Sequence, residues 1–348
     1  MTHPPELSVV VPLFNEERAI ASFLNELALQ QAIDFEVILS DGGSSDGTLA
    51  ELSRLVPSLP FPVKVVTGSK GRGAQLNRGA AEARSGMLLF LHADSAFGDP
   101  LSFRKGVDAL EQAGRTSPLP VAGHFPLTFA FPGSPPLPYR FYGEKAALDR
   151  PGCTHGDQGF LIPLPLFREL GPFDPELPLM EDNVLAERIR RQGRWILLST
   201  PIATSPRRFL AEGLLPRQTL NAILMDLAAV GRLDLIDSLR ETYRSQDRTG
   251  RLDLSPLLEN LRMRIAGLPP AERRDLWRKT GRYVRLNAWQ IPFFLDVVMK
   301  KAAGGKGGIF LSLHDRLVGR LLDNGVADLA ASWLVRLWFR LVLRRCRR

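Results

Sequence analysis

The feature that most constrains this chain is a series of short apolar runs, each cut off by a polar or glycine-rich loop. The runs lie at residues 7–11, 35–39, 63–66 and 87–91, and helical patterns separate them at 16–29, 48–55 and 73–83. Apolar runs of this length, spaced by helices, predict parallel strands that are buried on both faces and joined by right-handed crossovers. The expected fold class is therefore α/β, with a mixed, mainly parallel sheet flanked by helices.

Polar side chains follow each of these predicted strands directly. They are Asn15 and Glu16 after the first strand, Asp41 after the second, Lys70 and Arg72 after the third, and His92 and Asp94 after the fourth. In open parallel sheets, ligands bind beyond the carboxyl ends of the strands. The sequence therefore predicts a binding site along this one edge, with Asn15 and Asp46 as caps of the helices that follow.

The pattern changes beyond residue 98. A longer strand is expected over 121–129, a short one over 159–162, a helix over 181–192, and a last strand over 195–198. From about residue 219 amphipathic helices dominate. We expect an α/β domain over residues 1–215 and a basic, mainly helical region over 216–348.

The charge of the chain is unevenly distributed along it. Residues 216–348 hold 25 of the 45 Lys and Arg and 13 of the 37 Asp and Glu, a net charge of +12, which leaves −4 for residues 1–215. A basic surface favours an anionic partner, either phospholipid or nucleic acid. The two cysteines, the lack of a signal-peptide pattern and the lack of a bilayer-spanning apolar stretch together lead us to expect a cytoplasmic protein.

Five motifs in order carry a resemblance to a known family. They are VVVPLFNEE at 9–17, DGGSSDGT at 41–48, GRGAQLNRG at 71–79, LLFLHADS at 88–95 and PLMED at 178–182. Over about residues 7–228 the chain resembles the family 2 glycosyltransferases of GT-A type. It looks like the bacterial subgroup (transferase 2, rSAM/selenodomain-associated-like) in which His-Ala-Asp replaces Asp-X-Asp and a Gly-Asp-Gln precedes a late strand.

The resemblance implies an inverting enzyme that binds a nucleotide-sugar, expected to be UDP-linked, across the strand ends. Asp41 stands where the family's nucleotide-binding aspartate stands, and a carboxylate can accept hydrogen bonds from a uracil-type ring or a ribose. The other implied nucleotide and diphosphate contacts are Pro12, Asn15, Glu16, Lys70, Arg72, His92, Ala93, Arg207 and Arg208. The alternative for Glu16 is a first-turn carboxylate favoured by the helix dipole.

The resemblance also implies a divalent cation, Mn²⁺ or Mg²⁺, with Asp94 as its ligand. Such a cation needs only one or two protein carboxylates when phosphate oxygens complete its coordination. His92 replaces the first acidic residue of the family motif. It is a candidate second ligand, because imidazole suits Mn²⁺ better than Mg²⁺, or a candidate ribose contact.

Asp182 is the implied general base that receives the acceptor's proton. It opens a predicted helix beside Glu181, where the helix dipole lowers a carboxylate's pKa and keeps it ionised near neutral pH. Gly156, Asp157, Gln158 and Glu181 are expected to surround the sugar and the acceptor. The alternative for Asp182 is a structural acid pair at a helix start.

The segment 330–348 (AASWLVRLWFRLVLRRCRR) combines aromatics, a wide apolar face and arginines at 336, 340 and 344. Such a helix can lie in a membrane interface or pack its apolar face on the protein. A membrane contact would suit a lipid or lipid-linked acceptor, and we expect no nucleic-acid partner. The alternatives to glycosyl transfer are a nucleotidyltransferase and a non-catalytic nucleotide-binding descendant that acts as an interaction module.

Overall fold

The computed structural model describes residues 3–177, 180–239, 242–243, 250–300 and 306–346. The chain divides into two compact units, one up to Leu177 and over Glu181–Ser205, the other over most of the chain from Pro206 onwards. We call them the N-terminal and the C-terminal unit. The division falls at Ser205–Pro206, whereas the sequence placed the change after residue 215, and the assignment of domains stays a prediction.

The N-terminal unit is built on a seven-stranded sheet in the order β3-β2-β1-β4-β8-β6-β9. Its strands are β1 (Leu7–Leu13), β2 (Phe35–Asp41), β3 (Val63–Thr67), β4 (Met87–Phe90), β6 (Val121–His124), β8 (Phe160–Pro163) and β9 (Arg194–Leu197). All neighbours pair in parallel except β8, which runs antiparallel to both β4 and β6. The predicted fold class, a mixed and mainly parallel α/β sheet, is confirmed.

Helices cover this sheet and connect its strands. They are α1 (Glu17–Ala28), α2 (Thr48–Leu55), α3 (Arg72–Ala81), α4 (Ser102–Thr116), α5 (Leu137–Ala146), α6 (Leu164–Leu170) and α7 (Glu181–Gln192). Every residue of β2 is buried, as expected for a strand with helices on both faces. Val10, Ile38, Phe90 and Phe160 belong to one core cluster together with side chains of α3, α6 and α7. The core therefore fixes the strand ends beside the first turns of α3 and α7.

A second, three-stranded sheet corrects two predictions. It consists of β5 (Ala96–Phe97), β10 (Ile202–Thr204) and β7 (Leu127–Phe129). The strand expected over 121–129 is in fact β6 and β7, in different sheets, because Pro126 lacks an N–H and its carbonyl instead accepts the N–H of Ile202 at 2.9 Å. The strand predicted over 195–198 is therefore not the last one, since β10 follows it.

The C-terminal unit is helical throughout its described residues. Its helices are α8 (Arg207–Glu212), α9 (Leu214–Ala229), α10 (Leu233–Ser238), α11 (Leu254–Gly267), α12 (Pro270–Leu286), α13 (Gln290–Val298), α14 (Ile309–Leu313), α15 (Gly319–Leu322) and α16 (Gly325–Cys346), with a π-helical turn at His314–Val318. Its core joins leucines of α9 and α11 to Leu276, Phe339 and Leu343. Among the described residues, no helix is long and apolar enough to cross a membrane.

Helices α12 and α16 cross at Gly281, which is buried. A Cβ at Gly281 would collide with the carbonyl oxygen of Asp328 and lie 2.8 Å from Ser332 Cβ. Arg285 reinforces the crossing, since its guanidinium contacts Asp328 at 2.5 Å and Asp323 at 2.9 Å. The close approach of the two backbones therefore requires a glycine.

We expect Gly281→Ala to lower the free energy of unfolding by about 1–3 kcal/mol, because overpacking outweighs the gain in helix propensity. Gly114→Ala is the matched control, since Gly114 lies in α4 with nothing within 4 Å of a Cβ. That change should raise stability by about 0.5–1 kcal/mol. Calorimetric unfolding of both variants checks this, and equal effects of the two would contradict the close crossing.

Candidate active site

The loops after β1 and β2 are tied together by hydrogen bonds. Asn15 has a left-handed backbone (φ 55°), its side-chain oxygen accepts the N–H of Ser45 at 2.8 Å, and its own N–H donates to Ser44 Oγ at 2.9 Å. The N–H of Glu16 donates to Thr48 Oγ1 at 2.9 Å. The expectation that Asn15 caps α1 is wrong, because its amide is directed at the second loop.

The predicted cap of α2 also needs a small correction. Gly47 is the residue that precedes the helix, and Asp46 lies one position earlier. The Asp46 carboxylate nevertheless accepts the N–H of Thr48 at 3.0 Å and that of Glu17 at 3.2 Å. Asp46 therefore stabilises the starts of both α1 and α2.

A buried amide from α3 closes this edge of the sheet. Gln75 Nε2 donates to the carbonyl oxygens of Leu13 at 2.7 Å and Ser40 at 2.8 Å, and its Oε1 accepts the N–H of Gly71 at 3.2 Å. The sequence reasoning missed Gln75. Its signal was a glutamine flanked by Ala74 and Leu76 in a helix that packs on a sheet, because a buried amide must find partners.

Asp41 ends β2 beside Leu13 of β1, as the alternation of strands and helices predicted. It is fully buried, and its carboxylate accepts the N–H of Gly43 at 2.8 Å, the N–H of Ser44 at 3.1 Å and the hydroxyl of Ser44 at 2.5 Å. Asp41 therefore shapes its own loop, and a contact with a base or ribose would be an additional task for it.

The remaining predicted nucleotide contacts lie along the same edge. Pro12 is half-buried within β1, Glu16 is half-buried in the loop that follows, and Lys70 is exposed after β3. The Lys70 ammonium lies 3.8 Å from the centroid of the Phe14 ring, a cation–π contact. The loops after β3 and β1 are thereby brought together.

The end of β4 carries the His-Ala-Asp segment. Ala93 is buried, whereas His92 and Asp94 are half-buried. The turn is held by Ser95, whose N–H donates to the His92 carbonyl at 3.1 Å and whose Oγ accepts the His92 N–H at 3.3 Å. Within the described residues the Asp94 carboxylate makes no hydrogen bond or ion pair, so it can accept a ligand.

An imidazole–carboxylate pair links β4 to the loop before β8. His92 Nδ1 lies 3.0 Å from Asp157 Oδ1, and His155 Nδ1 lies 3.7 Å from Asp157 Oδ2. Burial alone would lower the pKa of His92, but the hydrogen bond and the charge of Asp157 outweigh it and raise that pKa. The pKa of Asp157 is held well below its usual range, because His92, His155 and Arg72 together outweigh its burial.

The start of α7 brings two buried carboxylates to the same place. Asp182 Oδ2 accepts the N–H of Gly156 at 2.8 Å, and Asp182 Oδ1 lies 3.3 Å from Arg72 Nη2. Arg72 Nε also donates to Glu181. Burial would raise the pKa of Asp182, but the charge of Arg72 and the Gly156 hydrogen bond lower it below its usual value.

Gln158 does not line the site as expected. Its side chain is fully buried, and Nε2 lies 2.7 Å from both His124 Nδ1 and the carbonyl oxygen of Ala146. Its Oε1 accepts the N–H of His155 at 2.9 Å, which fixes the loop. We therefore correct its role to positioning, because each polar atom of its amide is already bonded inside the protein.

Gly156 is the point at which these elements meet. A Cβ there would lie 2.8 Å from Asp182 Oδ2 and 3.3 Å from His92 Nε2. Asp94 follows His92 on the same loop, and its charge acts on the His92 ring. Asp41 ends the strand two positions away in the sheet, about 10 Å from β4 at ordinary strand spacing. Among the described residues, no three acidic, His or Cys side chains cluster as a metal site.

Two predicted phosphate contacts belong to the C-terminal unit. Arg207 is the first residue of α8. The guanidinium of Arg208 is engaged by Glu212 at 2.9 Å and by the hydroxyl of Tyr243. A role in binding diphosphate stays a prediction for both arginines.

The predicted helix 330–348 is the larger part of α16, and Arg347 and Arg348 lie outside the described residues. One side of α16 is buried through Ser332, Phe339 and Leu343. Another side keeps large apolar residues in solvent, namely Val326, Leu329, Trp333, Leu334, Leu337, Trp338 and Leu341, which are between 41% and 79% exposed. We call these seven residues the apolar stripe.

Comparison with known proteins identifies the first part of the chain. Residues 8–158 match the sequence model of Glycosyl transferase family 2. This stretch, less than half of the chain, is similar to that family, and it contains the first four motifs. The matched range contains Asp41, His92, Asp94 and Asp157, and ends before Asp182.

The relatives are similar to this chain over a limited stretch. An uncharacterised glycosyltransferase of Haemophilus influenzae is 32% identical over 108 residues, 30% of this chain and 35% of the relative. A PGL/p-HBAD biosynthesis glycosyltransferase of Mycobacterium bovis is 33% identical over 93 residues, 26% of this chain and 36% of the relative. The chain thus spans about a third of the length of these relatives.

Among solved structures, a mannosyltransferase of Pyrobaculum calidifontis in complex with GDP-Man and Mn²⁺ resembles this chain at 18% identity. The alignment covers 97% of this chain and 88% of that one, with a TM-score of 0.48.

The pH response of the site is expected to follow the His92–Asp157 pair. Because the pKa of His92 is raised in the folded chain, its ion pair with Asp157 stabilises the fold fully below about pH 6.5. This stabilisation is lost as pH rises through the pKa that His92 has in the folded chain. The lowered pKa of Asp157 means that its contribution is present above about pH 3.9 and is lost as pH falls further.

We expect the NMR titration of the His92 ring to have its midpoint above about pH 6.5. In Asp157→Asn that midpoint should fall below this value, because burial then acts without its counter-charge. Asp94→Asn should lower it less. The resonance is assigned by its loss in His92→Gln, and an unchanged midpoint in Asp157→Asn would contradict the pairing.

Proposed function

We propose that this chain transfers a sugar from a nucleoside diphosphate-sugar to a hydroxyl of an acceptor, with inversion at the anomeric carbon. The observation that carries the proposal is the meeting of His92, Gly156 and Asp182 beside Asp94, all but Asp182 within the region that matches the model of glycosyl transferase family 2. These residues are far apart in the sequence. The ionised Asp182, the His92–Asp157 ion pair and the half-buried Asp94, which has no hydrogen-bond or ion-pair partner among the described residues, suit the separation of a diphosphate from a sugar.

The nucleotide is proposed to lie along the ends of β1 to β4. The loops of Pro12, Asn15 and Glu16, the Asp41 loop, Lys70 and Ala93 supply its surroundings. Backbone and side-chain oxygens there can accept from a base and ribose. UDP-linked sugars are the first donors to test, followed by GDP-linked ones.

Asp94 is proposed to hold a divalent cation, Mn²⁺ or Mg²⁺. The residues fit such a cation, because one accessible carboxylate is what Mg²⁺ or Mn²⁺ takes from a protein when phosphate oxygens supply the rest. His92 Nδ1 is already bound to Asp157, so only its Nε2 is available as a second ligand. When bound, the cation would neutralise charge on the leaving diphosphate. Arg207 and Arg208 remain proposed diphosphate contacts.

Asp182 is proposed to accept the proton of the attacking hydroxyl. As the acceptor oxygen bonds to the anomeric carbon, the bond from that carbon to the diphosphate breaks, and the hydroxyl proton passes to an Asp182 oxygen. Hydrogen bonds to Gly156 and Asn183 hold the carboxylate in one orientation. Glu181 acts on Asp182 through Arg72, which both carboxylates contact, and Asp157 acts on it through the Gly156 loop. Both residues are proposed to place the sugar and the acceptor.

We expect Asp182→Asn to slow transfer by about 10²–10⁴-fold, the usual contribution of a general base. Donor binding, measured by calorimetry with UDP-sugar and Mn²⁺, should change little. Asp108→Asn is the control, because Asp108 is an exposed carboxylate on α4 paired with Arg104. A variant at Asp182 that transfers sugar at the full rate would refute the assigned role.

The same assay separates the alternatives. The wild-type chain should release free nucleoside diphosphate from its donor, and a chelator should stop that release. Release of pyrophosphate from a nucleoside triphosphate supplied together with a sugar 1-phosphate would instead favour a nucleotidyltransferase. If nucleotide-sugar binds but no nucleoside diphosphate is released, for all donors and acceptors tested, the result would favour a non-catalytic nucleotide-binding protein.

We also propose that the chain contacts a membrane through α16 and takes a lipid or lipid-linked acceptor. The apolar stripe supports this, because Trp333 and Leu334 are 59% and 67% exposed beside arginines of the same helix. Contiguous exposed apolar surface of this kind marks an interaction site. Aromatics next to cations are typical of helices that lie in the membrane interface.

We expect the double change Trp333→Glu and Leu337→Glu to abolish flotation of the protein with phospholipid vesicles. The physical reason is the loss of apolar burial, about 25 cal/mol per Å². Leu119→Glu is the control, because Leu119 is a similarly exposed leucine, 52% accessible, in the N-terminal unit. Flotation that survives the double change would end the membrane proposal for α16.

A further inference from the structure

A cavity in the C-terminal unit is not used by the proposed reaction. It has a volume of about 360 Å³ and lies among α11, α12 and α16. Its inner surface is apolar, with Ile265, Phe339 and Leu343, and the Trp277 ring lies 6.1 Å from that of Phe339. The volume is within the range of small-molecule sites.

Five arginines surround this apolar interior, and no acidic side chain among the described residues lines it. They are Arg262, Arg273, Arg274, Arg336 and Arg340. Arg262 is paired with Glu259 at 2.6 Å, and Arg273 donates to the carbonyl of Ala266 at 3.0 Å. In the part of the chain that the structure describes, the other three guanidiniums have no carboxylate partner. The cavity thus carries uncompensated positive charge.

Arg336 is the most constrained of these arginines. Its guanidinium lies 5.4 Å from the Trp277 ring centroid and 5.5 Å from that of Trp333. Its Nε is buried and has no hydrogen-bond partner within the described residues. Leaving a buried N–H without an acceptor is costly, so an anion that accepts from it would be stabilised here. Burial and the charge of Arg340 also lower the pKa of Arg336.

We propose that this cavity binds the phosphate headgroup of an anionic phospholipid in a membrane surface. The arginines contact the phosphate oxygens, and the apolar interior receives the first part of the lipid's glycerol and acyl chains. Guanidinium groups are suited to phosphate because they can donate two parallel hydrogen bonds.

The apolar stripe favours a lipid over a nucleic acid as the ligand of the cavity. Arg336 and Arg340 lie on α16 next to Trp333 and Leu337, so the charged mouth of the cavity borders exposed apolar surface. A nucleic acid would leave that surface and the apolar interior without partners. A phospholipid matches both, since its charge and its hydrocarbon are adjacent. The inference rests on the membrane contact proposed above and adds headgroup selectivity to it.

The test compares vesicles of phosphatidylcholine alone with vesicles that also contain phosphatidic acid. The wild-type chain should bind the anionic vesicles at least tenfold more tightly. Arg336→Met, which keeps the aliphatic stem, should lose about tenfold of this preference. Arg274→Gln, at an exposed arginine, should lose about fivefold. Arg282→Met is the control, because Arg282 is an exposed arginine of α12 outside the cavity and its loss removes the same charge.

A second experiment, with a soluble lipid, distinguishes binding in the cavity from contact with a membrane. Calorimetry with dihexanoyl phosphatidic acid, a monomeric short-chain lipid, should show binding that Arg336→Met removes and Arg282→Met keeps. Such binding without flotation would support the cavity and refute the membrane contact. Equal binding to neutral and anionic vesicles would refute the cavity and leave the membrane contact standing.

Two further outcomes would overturn the choice of ligand. If inorganic phosphate or glycerol 3-phosphate binds as tightly as the short-chain lipid, the ligand of the cavity is a free phosphate compound and not a lipid. Duplex DNA or RNA that displaces the lipid and depends on Arg336 would make the partner a nucleic acid.

Discussion

Arg72 is the charge on which the site depends. It begins α3 and reaches the two carboxylates that open α7, of which Glu181 is 1% exposed and Asp182 is 7% exposed. Two neighbouring buried carboxylates repel each other, and breaking a buried ion pair commonly costs about 3–5 kcal/mol. Because Asp182 in turn accepts the N–H of Gly156, the ion pair fixes α3, α7 and the loop before β8 together. Asp157 lies on that loop, so the loop also sets the pairing of Asp157 with His92.

The sequence could predict which residues reach the sheet edge, but not how they are held there. Asp41, His92 and Asp94 were found because parallel strands that alternate with helices place their carboxyl ends on one side. Gln75 was missed, and Gln158 was given the wrong role, because their amides bond to backbone atoms that are brought together only by folding. The same holds for the break between β6 and β7. There, Pro126 directs the chain into a second sheet whose other strands are two and three residues long.

In the C-terminal unit the helical pattern was predictable, whereas its division between core and solvent was not. The periodicity of residues 330–348 allowed both packing and membrane contact, and α16 has one buried face and one exposed apolar face. Phe339 and Leu343 enter the core while the apolar stripe stays exposed. The spacing of four residues put Arg336, Arg340 and Arg344 on one face of the helix, but it could not show that Arg336 lies between Trp277 and Trp333. Trp277 comes from α12, and no local pattern reveals that contact.

The electrostatics of the site suit the different roles proposed for Asp182 and His92. Burial and the charge of Asp157 disfavour the ionised form of Asp182, but Arg72 and the N–H groups of Gly156 and Asn183 outweigh them. It is therefore a weak base that is always deprotonated near neutral pH, which suits a proton that leaves the acceptor late, once its oxygen has begun to bond to the sugar. His92 has the opposite character, because the hydrogen bond and charge of Asp157 outweigh its burial and raise its pKa. A rise in pH through that pKa would remove the charge of His92 beside Asp94, where the diphosphate is proposed to lie, and leave Asp182 ionised.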